Sequence, residues 1–582
     1  MNEKSMKTGG ELIVEYLIDE GVKFAFGIPG HGCLGLTDAF YRNKDKIQVI
    51  QPKQEMAGVH MAVGYYRVCG KPLVVFTSIG PGAINTTIGL ADAFVDSMPV
   101  LVITGDTHVH MRGVGVLQEI ERKKDSAMPR IIEPVVKRQF ELAHVDQVPK
   151  VMQRAFNLMM TGRRGPVHID LPMDIQCAPC YIPLPDPMHR KTLARPRVDP
   201  EFIKEAVSML MNAKRPVLWL GVVVVSSEAF SEVKELAEFV GMPVLTSMMA
   251  QDAFPNDHPL FAYATGSKGT KCGIQVSRKA DVVLALGTRF ADESTCSYKK
   301  GVAWNFGPKK EDTRLIQVDI DPHEIGKNYP VDIGIIGDIK AVCRDMLDDL
   351  KKTHAKRDYS VMEYFKEIQQ YRGEWQQFIQ DWAKCDLEPV MISCVLKEVR
   401  EFLERDAIVV TSSGNVQAQI IQEFEFYEPH TNITAGGFST MGYTLPAALG
   451  AKLAAPNKQV IGLVGDGDFM MTMQELHTAK QLNLNVVLVV LNNAAWMAIT
   501  DLQRAVYGSE RGYATEFFDE KGEIYTPNFA QIAEGFQIWN RRISRNEEIK
   551  PALQGAFAQA GPAVIEIMVN RDPNHSGSPA WG

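Results

Sequence analysis

Apolar runs of strand length and amphipathic stretches alternate along the whole chain. The clearest example is residues 460–493, VIGLVGDGDFMMTMQELHTAKQLNLNVVLVVLNN. Residues 460–464 and 486–491 read as buried strands, and residues 471–481 have the spacing of an amphipathic helix. A glycine turn follows the first strand and two asparagines follow the second. The pattern predicts a strand–helix–strand unit with polar groups at the carboxyl ends of both strands.

Two oxygen-bearing side chains fall at those strand ends. Asp466 follows the first strand and Asn493 follows the second, a separation that suits a return through one helix. A carboxylate, an amide oxygen and loop carbonyls are ligands that suit Mg²⁺. Gly465 and Gly467 permit a tight turn, and the N–H groups that start the next helix can receive an anion. We therefore predict a site for a metal-bound diphosphate.

The same alternation recurs in three successive blocks. It predicts an α/β protein with three doubly wound parallel-sheet domains in succession. The predicted domains are an N-terminal one at residues 1–180, a central one at 195–345 and a C-terminal one at 386–570. Residues 349–385, a charged linker with Trp375 and Trp382, are predicted to form a surface helix, and residues 571–582 a flexible tail.

Composition narrows the class of protein. The chain has 582 residues, 45% of them apolar and 23% charged, with a net charge of −8. This size needs two to four domains, and the balance of charge argues against nucleic-acid binding. No apolar run is long enough for a membrane span or a signal peptide, so a cytoplasmic protein is expected. Nine scattered cysteines favour reduced thiols over a disulfide framework.

The GDG…NN pattern resembles the thiamine-diphosphate signature, in the form found in the acetohydroxyacid synthase (acetolactate synthase) branch. The resemblance implies that Asp466, Asn493 and the main-chain oxygen of Ala495 bind Mg²⁺. It also implies that the turn 465–468, with Gly465, Gly467 and Asp468, faces the diphosphate of thiamine diphosphate. An acid at position 468 departs from the family, which has a smaller or uncharged residue there. An ordinary turn with chance asparagines is the alternative.

A second resemblance lies in the N-terminal block. The segment EMAGVHMAVGYYRVCG is similar to the family's helix that begins with a catalytic glutamate, which would make Glu55 the residue that hydrogen-bonds N1′ of the aminopyrimidine. That contact favours removal of the C2 proton of the thiazolium. The alternative is an acid that merely suits a helix start. The loop GIPGHG, with Gly30 and His31, corresponds to the loop at the reactive end of the cofactor.

His31 departs from acetohydroxyacid synthases, which have glycine there. An imidazole at this place can relay protons, although a loop histidine bound to backbone is the alternative. The segment TSIGPGAINTT resembles a further family loop with Ile79 as one extra residue. By the same resemblance, Leu117 stands in place of an active-site phenylalanine, and Gln118 would position the substrate carbonyl together with His31.

The middle block resembles the family's central domain in ALGTRF and VDIDPHEIGKN. That resemblance implies FAD bound through Arg289 and Asp319. A triple-glycine loop allows close approach to the flavin in the family, whereas this chain has Val222 to Val224 after Gly221. A vestigial domain without flavin is therefore an equal expectation.

The third block completes the resemblance with TNITAGGFSTMGYTLPAALGAKLA. It implies that Met441 is the apolar wedge under bent thiamine and that the Ser439 carbonyl accepts from the 4′-amino group. Asn415, after the strand AIVVTSSGN, is a further predicted cofactor contact. Leu502 replaces the tryptophan that gates substrate in the acetolactate branch. The tail would be able to close over the site.

The resemblance implies an enzyme that uses thiamine diphosphate and Mg²⁺ to break or form a C–C bond of a 2-oxo acid or dicarbonyl. The departures at His31, Leu117 and Leu502 argue against ordinary acetolactate synthesis. A hydrolase of cyclic 1,2-diones is the alternative activity, and a noncatalytic cofactor-binding regulator is a weaker one. In the family's architecture Glu55 and Asp466 of one site come from different subunits, so a homodimer or homotetramer is expected. The expected partner is a small-molecule substrate, and neither nucleic acid nor a membrane is expected to bind.

Overall fold

A computed structural model describes residues 6–189, 194–309, 311–386 and 388–571. These residues contain three separate sheets with six described strands each, and every strand pair within each sheet is parallel. Helices flank the strands of all three. The prediction of three successive α/β domains is confirmed. The predicted tail beyond residue 571 lies outside the described residues.

The chain forms two compact units. The first comprises residues 1–193, 435–457 and 469–486, and the second comprises residues 194–434, 458–468 and 487–582. The domain boundaries that the sequence suggests therefore stay predictions, since two C-terminal segments join the first unit.

The first unit contains one parallel sheet and a short antiparallel pair, Lys7–Thr8 with Pro179–Cys180. Its strand order is Gln48–Ile50, Phe24–Ile28, Val74–Thr77, Leu101–Asp106, Val167–Pro172 and Arg138–Glu141. Its helices are Gly9–Asp19, Leu34–Arg42, Glu55–Cys69, Pro81–Asn85, Thr87–Val95, Met128–Ile132, Val148–Met160, Met173–Cys177, Thr444–Ala454 and Leu476–Gln481.

The second unit contains two parallel sheets. The central one has the order Phe261–Ala264, Val244–Thr246, Pro216–Leu220, Val282–Leu286, Arg314–Asp319 and Ile333–Ile336. The C-terminal one has the order Asn432–Thr434, Ile408–Thr411, Val460–Gly465, Val487–Asn492, Ala563–Met568 and Trp539–Ile543. Its helices are Pro200–Asn212, Val222–Ser226, Phe230–Val240, Lys271–Arg278, Asp292–Thr295, Ile339–Thr353, Glu363–Trp382, Ile392–Phe402, Asn415–Glu423, Met497–Tyr507, Phe529–Gly535 and Ile549–Phe557.

Two helices of the first unit cross at unusually close range. A Cβ atom at Gly64 would lie 2.1 Å from the Ala447 carbonyl oxygen, and one at Gly450 would lie 1.9 Å from the Met61 carbonyl oxygen. Both distances are far below van der Waals contact, so only glycine fits at either position. This crossing joins the helix Glu55–Cys69 to the helix Thr444–Ala454.

Two local expectations were wrong, and a third, that the cysteines are reduced, holds for seven of the nine. The helix after the GDG turn starts at Asp466 and ends at Thr472, where φ of −137° leaves the helical region, and a 3-10 turn precedes Leu476–Gln481. In the linker, Trp375 is buried and donates to the Gln422 carbonyl at 3.1 Å, so its helix packs within the second unit rather than lying on its surface. Cys385 and Cys394 form a disulfide, while the other seven cysteines are free thiols.

None of the described helices combines the length and the hydropathy needed to cross a membrane.

Candidate functional site

The carboxyl edge of the third sheet brings Asp466 and Asn493 together. The strands that precede them are adjacent and parallel, with Gly465 paired to Leu491. One carboxylate oxygen of Asp466 accepts from the Asn493 N–H at 3.2 Å and the other from the Gly467 N–H at 2.8 Å. The proximity expected from their spacing is therefore present.

The two consecutive asparagines have different environments. Asn492 is fully buried, and its amide group bonds to Glu566 at 2.7 Å and to Thr526 at 2.9 Å. The side-chain amide of Asn493 makes no hydrogen bond to any described residue. Asn492 therefore fixes the strand end, and Asn493 is the one with an oxygen left for a ligand.

Asp466 is a buried carboxyl group in a cation-compatible setting. Burial raises the pKa of Asp466 to about 6, although neighbouring backbone N–H groups oppose that rise. A nearby cation would favour the charged form. No cluster of three His, Cys, Asp or Glu side chains suited to a metal occurs among the described residues. An Asp–Asn–carbonyl oxygen set instead fits Mg²⁺, the ion that prefers such ligands.

Gly467 lies against the ring of Trp496. A Cβ atom at position 467 would come within 2.0 Å of Trp496 Cζ3, whereas one at Gly465 would meet nothing within 4 Å. The turn therefore keeps an open side at Gly465 and a tightly packed side at Gly467. Asp468 is buried, so its carboxyl group does not lie on the open surface of this turn.

Asn415 contacts an acid that the sequence analysis did not single out. Its side-chain amide donates to Asp501 at 2.7 Å, which links the helix start after Ile408–Thr411 to the helix Met497–Tyr507. Partial burial raises the pKa of Asp501 to about 6, with Asn415 and Arg504 opposing the rise. The other Asp501 oxygen is buried and has no hydrogen-bond partner. Only its place eight residues after Asn493 could have indicated this residue.

In the first unit, the predicted reactive loop packs on the loop that contains Ile79. A Cβ atom at Gly30 would lie 2.6 Å from the Ser78 hydroxyl, and one at Gly32 would lie 2.3 Å from the Ile79 side chain. The Gly32 N–H donates to the Ser78 hydroxyl at 3.2 Å. The ring nitrogen Nε2 of His31 is buried and has no hydrogen-bond partner. At this nitrogen, the alternative of a loop imidazole hydrogen-bonded to backbone has no support.

The segment 78–85, which ends in the helix Pro81–Asn85, also contacts the other two predicted catalytic residues. The Asn85 side chain donates to a Glu55 carboxylate oxygen at 2.9 Å, and a Cβ atom at Gly82 would lie 3.2 Å from the other. A Cβ atom at Gly80 would lie 2.5 Å from the Gln118 carbonyl oxygen. The structure thus gathers His31, Glu55 and Gln118 around the segment 78–85. Asn85 was missed, although it lies within the quoted glycine–proline motif.

Two predicted site residues, Gln118 and Ser439, have left-handed backbone, as does Ala494, which precedes the predicted ligand Ala495. The φ angles are 71° for Gln118, 55° for Ser439 and 55° for Ala494. Such angles cost an ordinary residue of the order of 1 kcal/mol and tend to mark functional turns. Met441, two residues on, leaves 38% of its side chain exposed, as an apolar wedge for a ligand requires.

The loop that contains Leu117 and Gln118 is anchored by Arg112, another residue that was not predicted. Its guanidinium lies 2.8 Å from Asp106, at the end of one strand, and 2.7 Å from Asp170, within the neighbouring strand. Leu117 itself is 73% exposed. His108 and His110 lie ring against ring, with centroids 5.7 Å apart, near the start of the same loop.

The central domain does not fit a flavin. Dinucleotides bind doubly wound sheets at the switch point, which here lies between Pro216–Leu220 and Val282–Leu286. A Cβ atom at Gly221 would lie 2.0 Å from the Gly287 carbonyl oxygen, and one at Gly287 would lie 2.4 Å from Val223 Cβ. The Val223 side chain therefore fills the place where a cofactor would approach. Arg289 and Asp319 are present, but Val223 packs directly against Gly287 between the strand ends.

Comparison with known families gives matches along the chain. The models for the N-terminal TPP binding domain, the central domain and the C-terminal TPP binding domain of thiamine pyrophosphate enzymes match residues 7–127, 203–346 and 412–567.

Individual relatives match over nearly their full length. The probable acetolactate synthase large subunit of Methanocaldococcus jannaschii is 33% identical, covering 97% of this chain and 92% of the relative. The acetolactate synthase large subunit of Corynebacterium glutamicum is 32% identical over 97% of this chain and 87% of the relative. The isozyme 1 large subunit of Escherichia coli is 32% identical, with 97% and 94% covered.

Proposed function

The chain belongs to the thiamine pyrophosphate enzymes of the acetolactate synthase large-subunit type, and from that premise we propose its substrate class, its metal and its assembly. It is a thiamine-diphosphate-dependent, acetolactate synthase-like enzyme of C–C bond chemistry. The observation that carries the proposal is the grouping of His31, Glu55 and Gln118 around the segment 78–85 in a chain that matches the family over almost its whole length.

The proposed substrate is a small 2-oxo acid or dicarbonyl. Bound thiamine diphosphate supplies an electron sink for the pair left behind when a C–C bond beside a carbonyl breaks. Glu55, oriented by Asn85, would hold a proton against the aminopyrimidine nitrogen. Gln118 would donate a hydrogen bond to the substrate carbonyl, and His31 would carry protons to and from it.

Mg²⁺ is proposed as the metal, held by Asp466, Asn493 and the Ala495 carbonyl. The buried Asp466 carboxylate and the uncommitted Asn493 amide support this choice. The turn 465–468 would receive the diphosphate, with Asn415 beside it. FAD is not proposed, because Val223 occupies the approach at the central switch point.

We propose a homodimer as the smallest active form, with a homotetramer as the larger alternative. Exposed apolar side chains accompany the predicted residues of each unit, among them Val114 at 70% and Leu117 at 73% in the first and Ile499 at 50% and Val506 at 67% in the second. Surfaces of this kind commonly mark protein interfaces. By the family's architecture, Glu55 of one copy would serve Asp466 of another.

A mixing experiment tests the assembly. Glu55→Gln and Asp466→Asn chains, each inactive alone, are co-expressed with separate tags. If each site takes its residues from two copies, random pairing restores about a quarter of wild-type activity, since half of the dimers hold one intact site. Mixtures without activity, despite pairing of the tags, would contradict the assembly.

A substrate panel tests the reaction. The purified chain, supplied with thiamine diphosphate and Mg²⁺, receives pyruvate, other 2-oxo acids and cyclohexane-1,2-dione, and CO₂ release and product masses are followed. CO₂ with a ligated or aldehyde product identifies a decarboxylase or carboligase. A ring-opened acid without CO₂ identifies a C–C hydrolase, the second candidate, which the unpartnered Nε2 atom of His31 favours.

A matched pair of variants ties the reaction to Glu55. Glu55→Gln removes the acidic proton and is expected to lower kcat by about 10²-fold or more. Glu11→Gln changes a glutamate in the first turn of another helix of the same unit and should leave kcat within about twofold. Full activity of Glu55→Gln would refute the mechanism.

A further inference from the structure

Two stretches of the first unit carry predicted cofactor contacts without regular hydrogen-bonded structure of their own. Residues 53–54 lead directly into Glu55, and residues 436–441 carry Ser439 and Met441. Both are loops, yet each would have to present backbone or side-chain atoms at fixed places if the proposed function holds. Something outside each loop must therefore fix its position.

Buried carboxyl groups supply that fixing for residues 436–441. Asp96, at the end of the helix Thr87–Val95, accepts from the Gly436 N–H at 2.7 Å and from the Gly437 N–H at 2.9 Å. Asp92, one turn earlier, accepts from the Thr440 hydroxyl at 2.9 Å. Both acids are almost wholly buried, with 2% and 1% of their surface exposed.

A third buried acid, from the C-terminal part of the sequence, holds a loop of the N-terminal part. Glu475 comes from the C-terminal part of the sequence, and one of its oxygens accepts from the Lys53 N–H at 2.7 Å and from the Gln54 N–H at 3.1 Å. Its second oxygen accepts from the Thr478 hydroxyl at 2.7 Å. Glu475 has no exposed surface. The residues before Glu55 are therefore held by a side chain 421 or more positions away.

The energetics favour a positioning role over chance. Burying a carboxyl group costs free energy unless its oxygens accept hydrogen bonds. Three such groups in one unit therefore indicate that their hydrogen bonds have a structural role. Here all three acids accept hydrogen bonds from N–H or hydroxyl groups of the two loops. Burial, followed by the nearby Asp96, raises the pKa of Asp92 well above its ordinary value, which relieves repulsion between the two acids.

We propose that Asp96, Asp92 and Glu475 are positioning residues. Their hydrogen bonds connect the N-terminal and C-terminal parts of the first unit, so that each part fixes the thiamine-contacting loop of the other. The proposal rests on the proposed function for what the loops bind. Whether the acids hold the loops can be measured without cofactor.

The test uses the full chain free of cofactor, with amide hydrogen exchange followed by mass spectrometry. Asp96→Asn leaves one oxygen for two N–H groups, so exchange at residues 436–437 should rise at least about tenfold, as expected for loss of a hydrogen bond to a charged acceptor. Asp281→Asn is the matched control. Asp281 also accepts from two successive N–H groups, those of Lys214 and Arg215, at 2.7 and 2.9 Å, but in the central domain.

The second readout is binding of thiamine diphosphate in the presence of Mg²⁺, measured by calorimetry. Asp96→Asn should raise the Kd by about tenfold or more, while Asp281→Asn stays within about twofold. Unchanged exchange at 436–437 would overturn the holding role. Faster exchange with an unchanged Kd would overturn the positioning role.

Position 475 offers a rescue. Because a single oxygen of Glu475 serves both N–H groups, Glu475→Gln keeps that acceptor and should preserve the Kd within a few-fold, whereas Glu475→Leu should loosen residues 53–54 and weaken binding. Equal effects of the two variants would contradict the proposal. If Asp96→Asn fails to fold, Thr440→Val removes only the hydroxyl that reaches Asp92 and must raise exchange across 438–441. A wild-type chain that binds no thiamine diphosphate would refute the proposed function itself, whatever the exchange shows.

Discussion

Replacing Gly467 by alanine tests whether Trp496 sets the shape of the GDG turn. The backbone of Gly467 is helical, within Asp466–Thr472, and its φ lies outside the left-handed region, so alanine is conformationally allowed. In an open helix the change would stabilise by about 0.5–1 kcal/mol. Here the new methyl carbon would lie 2.0, 2.4 and 2.8 Å from three atoms of the Trp496 ring.

The size of the effect follows from that overlap. Carbon atoms settle about 3.5–4 Å apart, so the ring has to move by more than an ångström, and overpacking of this kind costs about 1–3 kcal/mol. After the helix-propensity gain, Gly467→Ala should lower the free energy of unfolding by about 1–2 kcal/mol. Displacement of the ring towards the open side of the turn should also weaken thiamine diphosphate binding.

The assay is a double-mutant cycle with Trp496→Leu. Urea unfolding followed by circular dichroism gives stability, and calorimetry gives the Kd in Mg²⁺. Trp496→Leu alone loses the ring's edge contact with Phe517, but it removes the obstacle to a methyl group. Gly467→Ala should therefore be neutral or stabilising in that background. An equal loss in both backgrounds would refute the steric explanation and point to the backbone.

Three further outcomes are expected. Burial lowers the pKa of His168 from 6.5 to about 3, so its stabilising contribution is complete above pH 6.5 and is lost as the pH falls. At pH 4.5, about 2.5 kcal/mol of the free energy of unfolding should be lost. His168→Gln, which keeps a hydrogen bond to Thr104, should make the urea midpoint less dependent on pH between 7 and 4.5. Gly450→Ala should destabilise the protein by about 1–3 kcal/mol in the same unfolding assay, because the new methyl group would overlap a backbone carbonyl. Gly373→Ala, on an exposed helix surface with no atom within 4 Å of the new methyl group, should stabilise it by about 0.5–1 kcal/mol. A lower stability of Gly373→Ala would contradict the steric explanation. Protein purified without added cofactor should lack flavin absorbance, and stoichiometric FAD would show that the Val223 crevice opens.

Sequence patterns were sufficient for the sheets and for the neighbourhood of Asp466 and Asn493. Both depend on local periodicity and on a spacing that a strand–helix–strand return dictates. The helix break at Thr472 was not readable, since residues 471–481 keep a helical apolar spacing across it. The disulfide between Cys385 and Cys394 was likewise outside the reach of cysteine counts.

The supporting residues could not be predicted for a different reason. Asp96 and Gly436 are 340 positions apart, and Lys53 and Glu475 are 422 apart. No periodicity connects such pairs, and an isolated acid in an apolar helix has no signal that distinguishes an anchor from a surface charge. Glu55 was found through a family resemblance, whereas its partner Asn85 needed coordinates.

The discontinuous first unit has a consequence for how the protein is made. Residues 1–193 leave the ribosome first, but the unit is complete only when residue 486 has been synthesised, almost 300 residues later. At about 5–20 residues per second, that interval is of the order of 15–60 s. During this time the surface of the helix Glu55–Cys69 around Gly64 lacks its packing partner, the helix Thr444–Ala454, although the central domain can already fold. Nascent chains should therefore depend on chaperones most strongly before the helix Thr444–Ala454 arrives, and truncations that end in the central domain should aggregate.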